Sequence, residues 1–191
     1  MRYFYLLCLS VILLQSCTTP LYVFKGPNQV GLDFTQGKWL LHNVDNKYIN
    51  EQAVKDFTAF TGNRLGETST AKGLLVTNNV PLQPDKQLLT DLYNGTGYDY
   101  YINIKDDIYR DDIASVELGT NNIRSEGSAG VTLEIYDLKN KSILYSQTVV
   151  GNSQKNQSDI GDVNFYKPAA SLVVGSYNRI IKDIRSKSKV K

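Results

Sequence analysis

Val131-Thr132-Leu133-Glu134-Ile135-Tyr136, Asp137-Leu138-Lys139-Asn140-Lys141 and Ser142-Ile143-Leu144-Tyr145-Ser146-Gln147-Thr148-Val149-Val150 read as a strand, a turn and a returning strand. In the first run Val131, Leu133 and Ile135 alternate with Thr132, Glu134 and Tyr136, which sends one set into a core and the other toward water. The polar stretch Asp137 to Lys141 turns the chain, and the second run comes back with Ile143, Tyr145 and Val149 on one side. Two such runs around a short polar turn predict an antiparallel hairpin. A hairpin alone is marginal in water, so its apolar face must be covered by further strands or helices.

The cover is legible on both sides of the hairpin. Downstream, Pro168 suits a helix first turn, and Leu172, Val173, Tyr177, Ile180, Ile181 and Ile184 then fall on one helical stripe. The basic tail Arg185 to Lys191 is expected to fray into solvent, its charges suiting a helix carboxyl end. Upstream, Asn46 can cap a helix carrying Ile49, Ala53, Phe57 and Phe60 on one face, with Gly62 as its left-handed terminator. Pro84 and Asp85 open a shorter helix with Leu88, Leu89 and Leu92, closed by Asn94-Gly95.

Between these helices lie further strand signals. Lys38 to Val44 reads as a strand with Trp39, Leu41 and Asn43 on one face and Leu40, His42 and Val44 on the other. Leu74-Leu75-Val76, within Gly73 to Asn78, reads as a short buried strand. Tyr98 to Ile104 is rich in residues that suit a pleated surface. Lys105 to Gly130 reads as a loop with a candidate strand at Ile113 to Leu118, and Asn152 to Asp162 as an exposed loop. The expectation is an α/β, α+β-like single domain over residues 38–191, with a mixed, largely antiparallel sheet of about five strands flanked by about three helices.

The amino terminus carries an address. Arg2 is followed by an apolar run from Tyr3 to Leu14 and then by Leu14-Gln15-Ser16-Cys17. A positive start, an apolar core and small residues before a cut make a secretory signal, and the run is shorter than the roughly 20 apolar residues of a membrane-spanning helix. With the cysteine directly after Leu-x-Ser, the segment resembles a bacterial lipoprotein signal peptide. The resemblance implies that residues 1–16 are removed between Ser16 and Cys17 and that the Cys17 thiol carries the acyl anchor. Each lipid methylene buried contributes about 0.8 kcal/mol of membrane affinity, and two or more chains hold stably. Thr18, where the sorting rule of enteric bacteria reads Asp as a retention signal, implies the outer membrane; periplasmic and surface-facing display both remain open. Residues 17–37, broken by Pro20, Gly26, Pro27 and Gly31, are expected to form an acylated tether that packs partly through Tyr22, Phe24 and Phe34.

Composition narrows the classes. Of the two cysteines, Cys8 would leave with the signal and Cys17 would be consumed by lipid, so no disulfide is expected and stability must come from an apolar core. The formal charge of +2 offers no basic field for nucleic acid. Apart from the covalent acyl lipid, no cofactor is implied.

At fold level, the helix ending in glycine before Gly97-Tyr98-Asp99-Tyr100, and the hairpin turn Asp137 to Lys141, resemble the periplasmic lipoprotein domains of the curli-secretion type and the amino-terminal domain of the Tol-system propeller protein. The resemblance spans Lys38 to Lys187. It implies a protein that builds envelope assemblies or supports transport, with an envelope protein as partner and room for self-association, and it implies no enzyme.

Candidate chemistry is sparse. His42, the single histidine, sits in a strand among apolar residues and reads as a structural imidazole rather than a general base. Gly127-Ser128-Ala129-Gly130 lacks the spacing of a nucleophile elbow. Asp106, Asp107, Asp111 and Asp112 supply hard oxygen donors of the kind calcium takes, offset by Lys105 and Arg110. Tyr98, Tyr100, Tyr101 and Tyr109 are candidates for a partner surface, since aromatics concentrate at interface hot spots. The sequence therefore points to a non-enzymatic outer-membrane lipoprotein acting through protein–protein binding, with a small-ligand or calcium-binding envelope module as the alternative.

Overall fold

The expected hairpin is the spine of the molecule. The computed structural model describes residues 20–26, 31–69, 80–116, 123–154 and 167–190. Its elements run β1 (Leu21–Lys25), β2 (Trp39–Leu41), α1 (Lys47–Thr61), β3 (Leu65–Glu67), α2 (Lys86–Thr96), β4 (Tyr100–Val116), β5 (Ile123–Asp137), β6 (Ser142–Gln154) and α3 (Ala169–Lys187). Among the described residues, six strands form one sheet in the order β1-β6-β5-β4-β2-β3. β2 runs parallel to β3 and β4, and the other pairings are antiparallel. The architecture is the single α+β domain expected, with a mixed sheet of six strands and three α-helices among the described residues.

The two faces of the sheet are covered differently. On one, α1 and α3 lay their apolar stripes over Leu41, Ile102, Ile104, Val131, Leu133, Ile135, Tyr145 and Val149. The stripes are those the spacing predicts: Ile49, Ala53, Phe57 and Phe60 from α1, and Leu172, Val173, Tyr177, Ile180, Ile181 and Ile184 from α3, all buried. Asn46 caps α1 by accepting from the Ile49 amide. Burying each of these large side chains contributes about 1.5–3 kcal/mol. Tyr177 and Arg185 both reach Asp56 at 3.2 Å, tying α3 to α1. On the opposite face α2 and Val80 cover a smaller cluster of Leu40, Tyr101, Tyr136 and Leu138.

Several elements depart from the sequence expectation. Residues 21–25 belong to the sheet as β1, paired with β6 from Leu21↔Asn152 to Lys25↔Thr148. Phe34 is wholly buried, whereas Phe24 is 48% exposed. Residues 105–112 and 123–130 are strand and not loop, while 113–116 are strand as expected: β4 and β5 stay paired to Val116↔Ile123, with irregularities after Ile108 and Asp112. Asp106-Asp107 and Asp111-Asp112 disguise this stretch, because an acidic run lacks the apolar alternation by which a strand is recognised. α2 continues through Asn94-Gly95 to Thr96 and ends at Gly97, which takes the left-handed conformation at φ 67°. Gly95 costs a helix about 1 kcal/mol but does not break it.

Ile143 is 49% exposed rather than inward. A bulge pairs Ile135 with Tyr145 but Tyr136 with Ile143, and a one-residue shift moves a side chain to the other face. The Thr132, Glu134 and Tyr136 face, expected in water, is buried. The tail after α3 is docked: Lys189 donates to Leu32 and accepts from Phe34 along the backbone. The short strand β3 was not legible, and the strand expected at Gly73 to Asn78 lies outside the described residues, as do residues 155–162 of the expected loop.

Candidate functional site

Three buried polar atoms without a hydrogen-bond partner gather where β2 ends against β4. After Leu41 the His42 amide donates to Ile102 O at 2.8 Å, which continues the parallel pairing by one residue. The imidazole thereby falls on the α2 side, edge-on to Tyr101 with ring centroids 6.0 Å apart. His42 is 6% exposed, and its Nδ1 has no hydrogen-bond partner. Burial holds its pKa below the ordinary histidine value, against an opposing pull from Asp45 and aided by Lys105. It is therefore the neutral imidazole that the fold accommodates.

The same face carries two more such atoms. Tyr101 is fully buried with an unpartnered hydroxyl, and burial raises its pKa, helped by Tyr136. Asn103 donates from Nδ2 to Pro81 O at 3.0 Å but leaves Oδ1 unpartnered. Beside them Glu134, 2% exposed, accepts from the Tyr136 hydroxyl at 2.6 Å and from the Gln83 amide at 3.0 Å. Gln83 adopts φ 53° to make that contact, a conformation uncommon outside glycine. An unpaired buried polar atom costs about 1–3 kcal/mol. Of the four such atoms among the described residues three lie on this face, and the fourth is Ser176 Oγ on α3.

A cleft of about 170 Å³ opens next to this row, lined by residues 42–45 after β2 and residues 104–107 of β4. Its walls are polar and of mixed charge: His42, Asp45, Lys105, Asp106 and Asp107. Such a recess suits a small polar molecule or ordered water. The arrangement contains a histidine and carboxylates, but no nucleophile paired to a base is seen among its described side chains.

The four aspartates do not converge. Asp106 accepts from Asn46 Nδ2 at 3.0 Å, at the amino end of α1. Asp111 accepts from the Ala169 amide at 3.4 Å, at the amino end of α3. Both are places where the helix dipole favours negative charge. Asp107 is exposed, and the side chain of Asp112 lies outside the described set. Among the described residues no three His, Cys, Asp or Glu side chains come together as a metal site.

The tyrosines disperse as well. Tyr98 lies over Gly66, where any Cβ would meet its hydroxyl. Tyr100 stacks on Trp39 with centroids 4.2 Å apart, Tyr101 is in the core, and Tyr109 stands 55% exposed over Gly130. Of the four, Tyr109 alone offers a broad surface, together with Ile108 at 58% exposure. A second exposed apolar group, Leu21, Val23 and Phe24 of β1, was read as tether; the run Leu21-Tyr22-Val23-Phe24 was its sequence signal. Cys17 and the signal segment lie outside the described residues, and among those described no helix is long and apolar enough to cross a membrane.

No family model matches the chain, and no curated protein does. Among solved structures, the PelC dodecamer from Paraburkholderia phytofirmans is similar with a TM-score of 0.46 at 10% identity, over 88% of this chain and 99% of that one. A variant PelC dodecamer from the same organism gives 0.40 at 11% identity, over 87% and 98% of the two chains. The hypothetical protein CT253 from Chlamydia trachomatis gives 0.40 at 13% identity, over 80% and 95%. At such scores these likenesses assign this chain neither a role nor an assembly.

Proposed function

We propose that this chain is a lipid-anchored protein of the bacterial outer membrane that works in envelope assembly or transport by binding other protein chains, without catalysing a reaction. The observation that carries the reading is Leu14-Gln15-Ser16-Cys17 at the end of a short apolar run, placed directly ahead of a folded domain. Ile108 and Tyr109, exposed on the β4–β5 hairpin, supply apolar surface of the kind partners cover. Self-association through that surface belongs to the same reading.

Two measurements in intact cells test it. A clickable fatty acid should label the protein, and Cys17→Ser should abolish the label; an unlabelled wild-type chain overturns the anchor. A photo-crosslinking residue at position 109 should give one discrete adduct, lost when Ile108 is changed to Ser. A monomer without adducts overturns the binding role.

The cleft beside His42 favours a second reading, a module for a small polar ligand. Calorimetric titration with envelope glycan fragments and with calcium tests it, and the absence of heat with both removes it.

A further inference from the structure

We infer that β1 is the membrane-facing edge of the domain, lying against the headgroup and upper acyl region of the bilayer that holds Cys17; this rests on the anchor reading above and says how the anchored domain sits. An edge strand bathed in water is normally blunted by charge, proline, a bulge or brevity, and it keeps at least one polar side. Of the five residues of β1 only the last, Lys25, is charged, Pro20 precedes the strand, and its pairing with β6 is regular throughout. Leu21 and Val23 point to one side of the sheet and Tyr22 and Phe24 to the other, so both sides are apolar. Leu21 is 67%, Val23 40% and Phe24 48% exposed. Tyr22 is half-buried against Gly151 and Gly175, which leaves Leu21, Val23 and Phe24 as the exposed apolar rim of the strand.

The covalent distance names the medium. Three residues, Thr18, Thr19 and Pro20, lie between Cys17 and Leu21, and an extended chain spans at most about 14 Å over those four steps. Whenever the acyl chains are in the bilayer, Leu21 is held within about that distance of the lipid. The flanking chemistry suits an interface. Lys25 closes the strand, exposed, and the Arg179 guanidinium lies 3.4 Å over the Tyr22 ring. Aromatic and basic side chains together are the usual anchors at headgroup depth. Because Leu21 pairs with Asn152, the chain enters the sheet at the end far from the turn joining β5 and β6. That turn therefore lies roughly 30 Å along β6 from Leu21, well removed from the point of attachment.

The acylated protein, processed at Cys17, in vesicles of phosphatidylethanolamine and phosphatidylglycerol tests this. An environment-sensitive fluorophore is placed through Val23→Cys or, as the distant control, Asn140→Cys, and intact mass is read on the same samples. The probe at 23 should shift to the blue and be quenched by spin-labelled lipid, while the probe at 140 stays unquenched. The double variant Leu21→Ser, Phe24→Ser should keep the acyl mass and lose most of the quenching at 23. Acylated protein whose probe at 23 behaves like that at 140, or quenching that the double variant leaves unchanged, overturns the membrane-facing edge and leaves the anchor standing. A bare Cys17 overturns both, through the anchor. A blue shift that needs no vesicles and grows with protein concentration assigns the edge to a second copy and overturns the inference.

Discussion

The two faces of the sheet are made by the same strands and yet obey different rules. Under α1 and α3, Phe34, Trp39, Phe57 and Phe60 interlock with centroid spacings from 4.5 to 6.0 Å, beside an aliphatic floor. Under α2, the floor is Tyr101, Asn103, Glu134 and Tyr136, with two unpartnered atoms among them and a third on His42. The first face carries the stability of the domain. The second spends part of it on polar groups, and the cleft is lined from both, by His42 on one side and by Val44 and Ile104 of the apolar cluster on the other.

Breaking the apolar face should be the most damaging. Phe57→Ala removes a ring that touches both Phe34 and Phe60, and an aromatic deletion of this kind costs about 3–5 kcal/mol; denaturant unfolding measures it. On the polar face two hydroxyl deletions should split in sign. Tyr136→Phe takes a donor from buried Glu134 and should destabilise by about 1–3 kcal/mol, whereas Tyr101→Phe removes an unpartnered hydroxyl and should stabilise by roughly 1 kcal/mol. Equal losses in the two variants would erase the distinction between a satisfied and an unsatisfied tyrosine.

The smallest effect concerns pH. The folded state holds His42 below its unfolded pKa of about 6.5, so at lower pH the unfolded chain binds the extra proton first. The neutral His42 therefore contributes nothing to the pH dependence above that value, and stability is lost as pH falls from it toward the folded pKa. His42→Gln should flatten that part of the profile relative to wild type, measured as the change in unfolding midpoint between neutral pH and pH 5. An unchanged profile would mean that the imidazole is solvated in the folded state.

Legibility followed the same division. α1, α3 and the β5–β6 hairpin were readable because one apolar face meeting one polar face leaves a period in the sequence, as in Leu172 to Ile184. α2 was readable at its start, where Asp85 caps it, and misread at its end because Gly95 sits inside a helix that tertiary contacts sustain. Residues 105–112 of β4 and the start of β5 were unreadable because Asp106 and Asp111 answer to the amino ends of two helices distant in sequence, which no local pattern records. The polar row failed for a related reason: alternation told that Glu134 and Tyr136 oppose Leu133 and Ile135, but not that residues 80–83 and α2 would cover them. The Leu21 to Phe24 run was visible and was passed over because the surrounding glycines and prolines suggested a linker.

The docking of Lys189 between Leu32 and Phe34 has a consequence for how the polypeptide matures. Until the last helix has left the ribosome, Leu133, Ile135 and Tyr145 have no roof, and the segment around residue 33 lacks its closing partner. Folding is thus deferred until α3 is available, and a chain shortened before Leu172 should be handled by chaperones and proteases as an open intermediate rather than as a smaller domain.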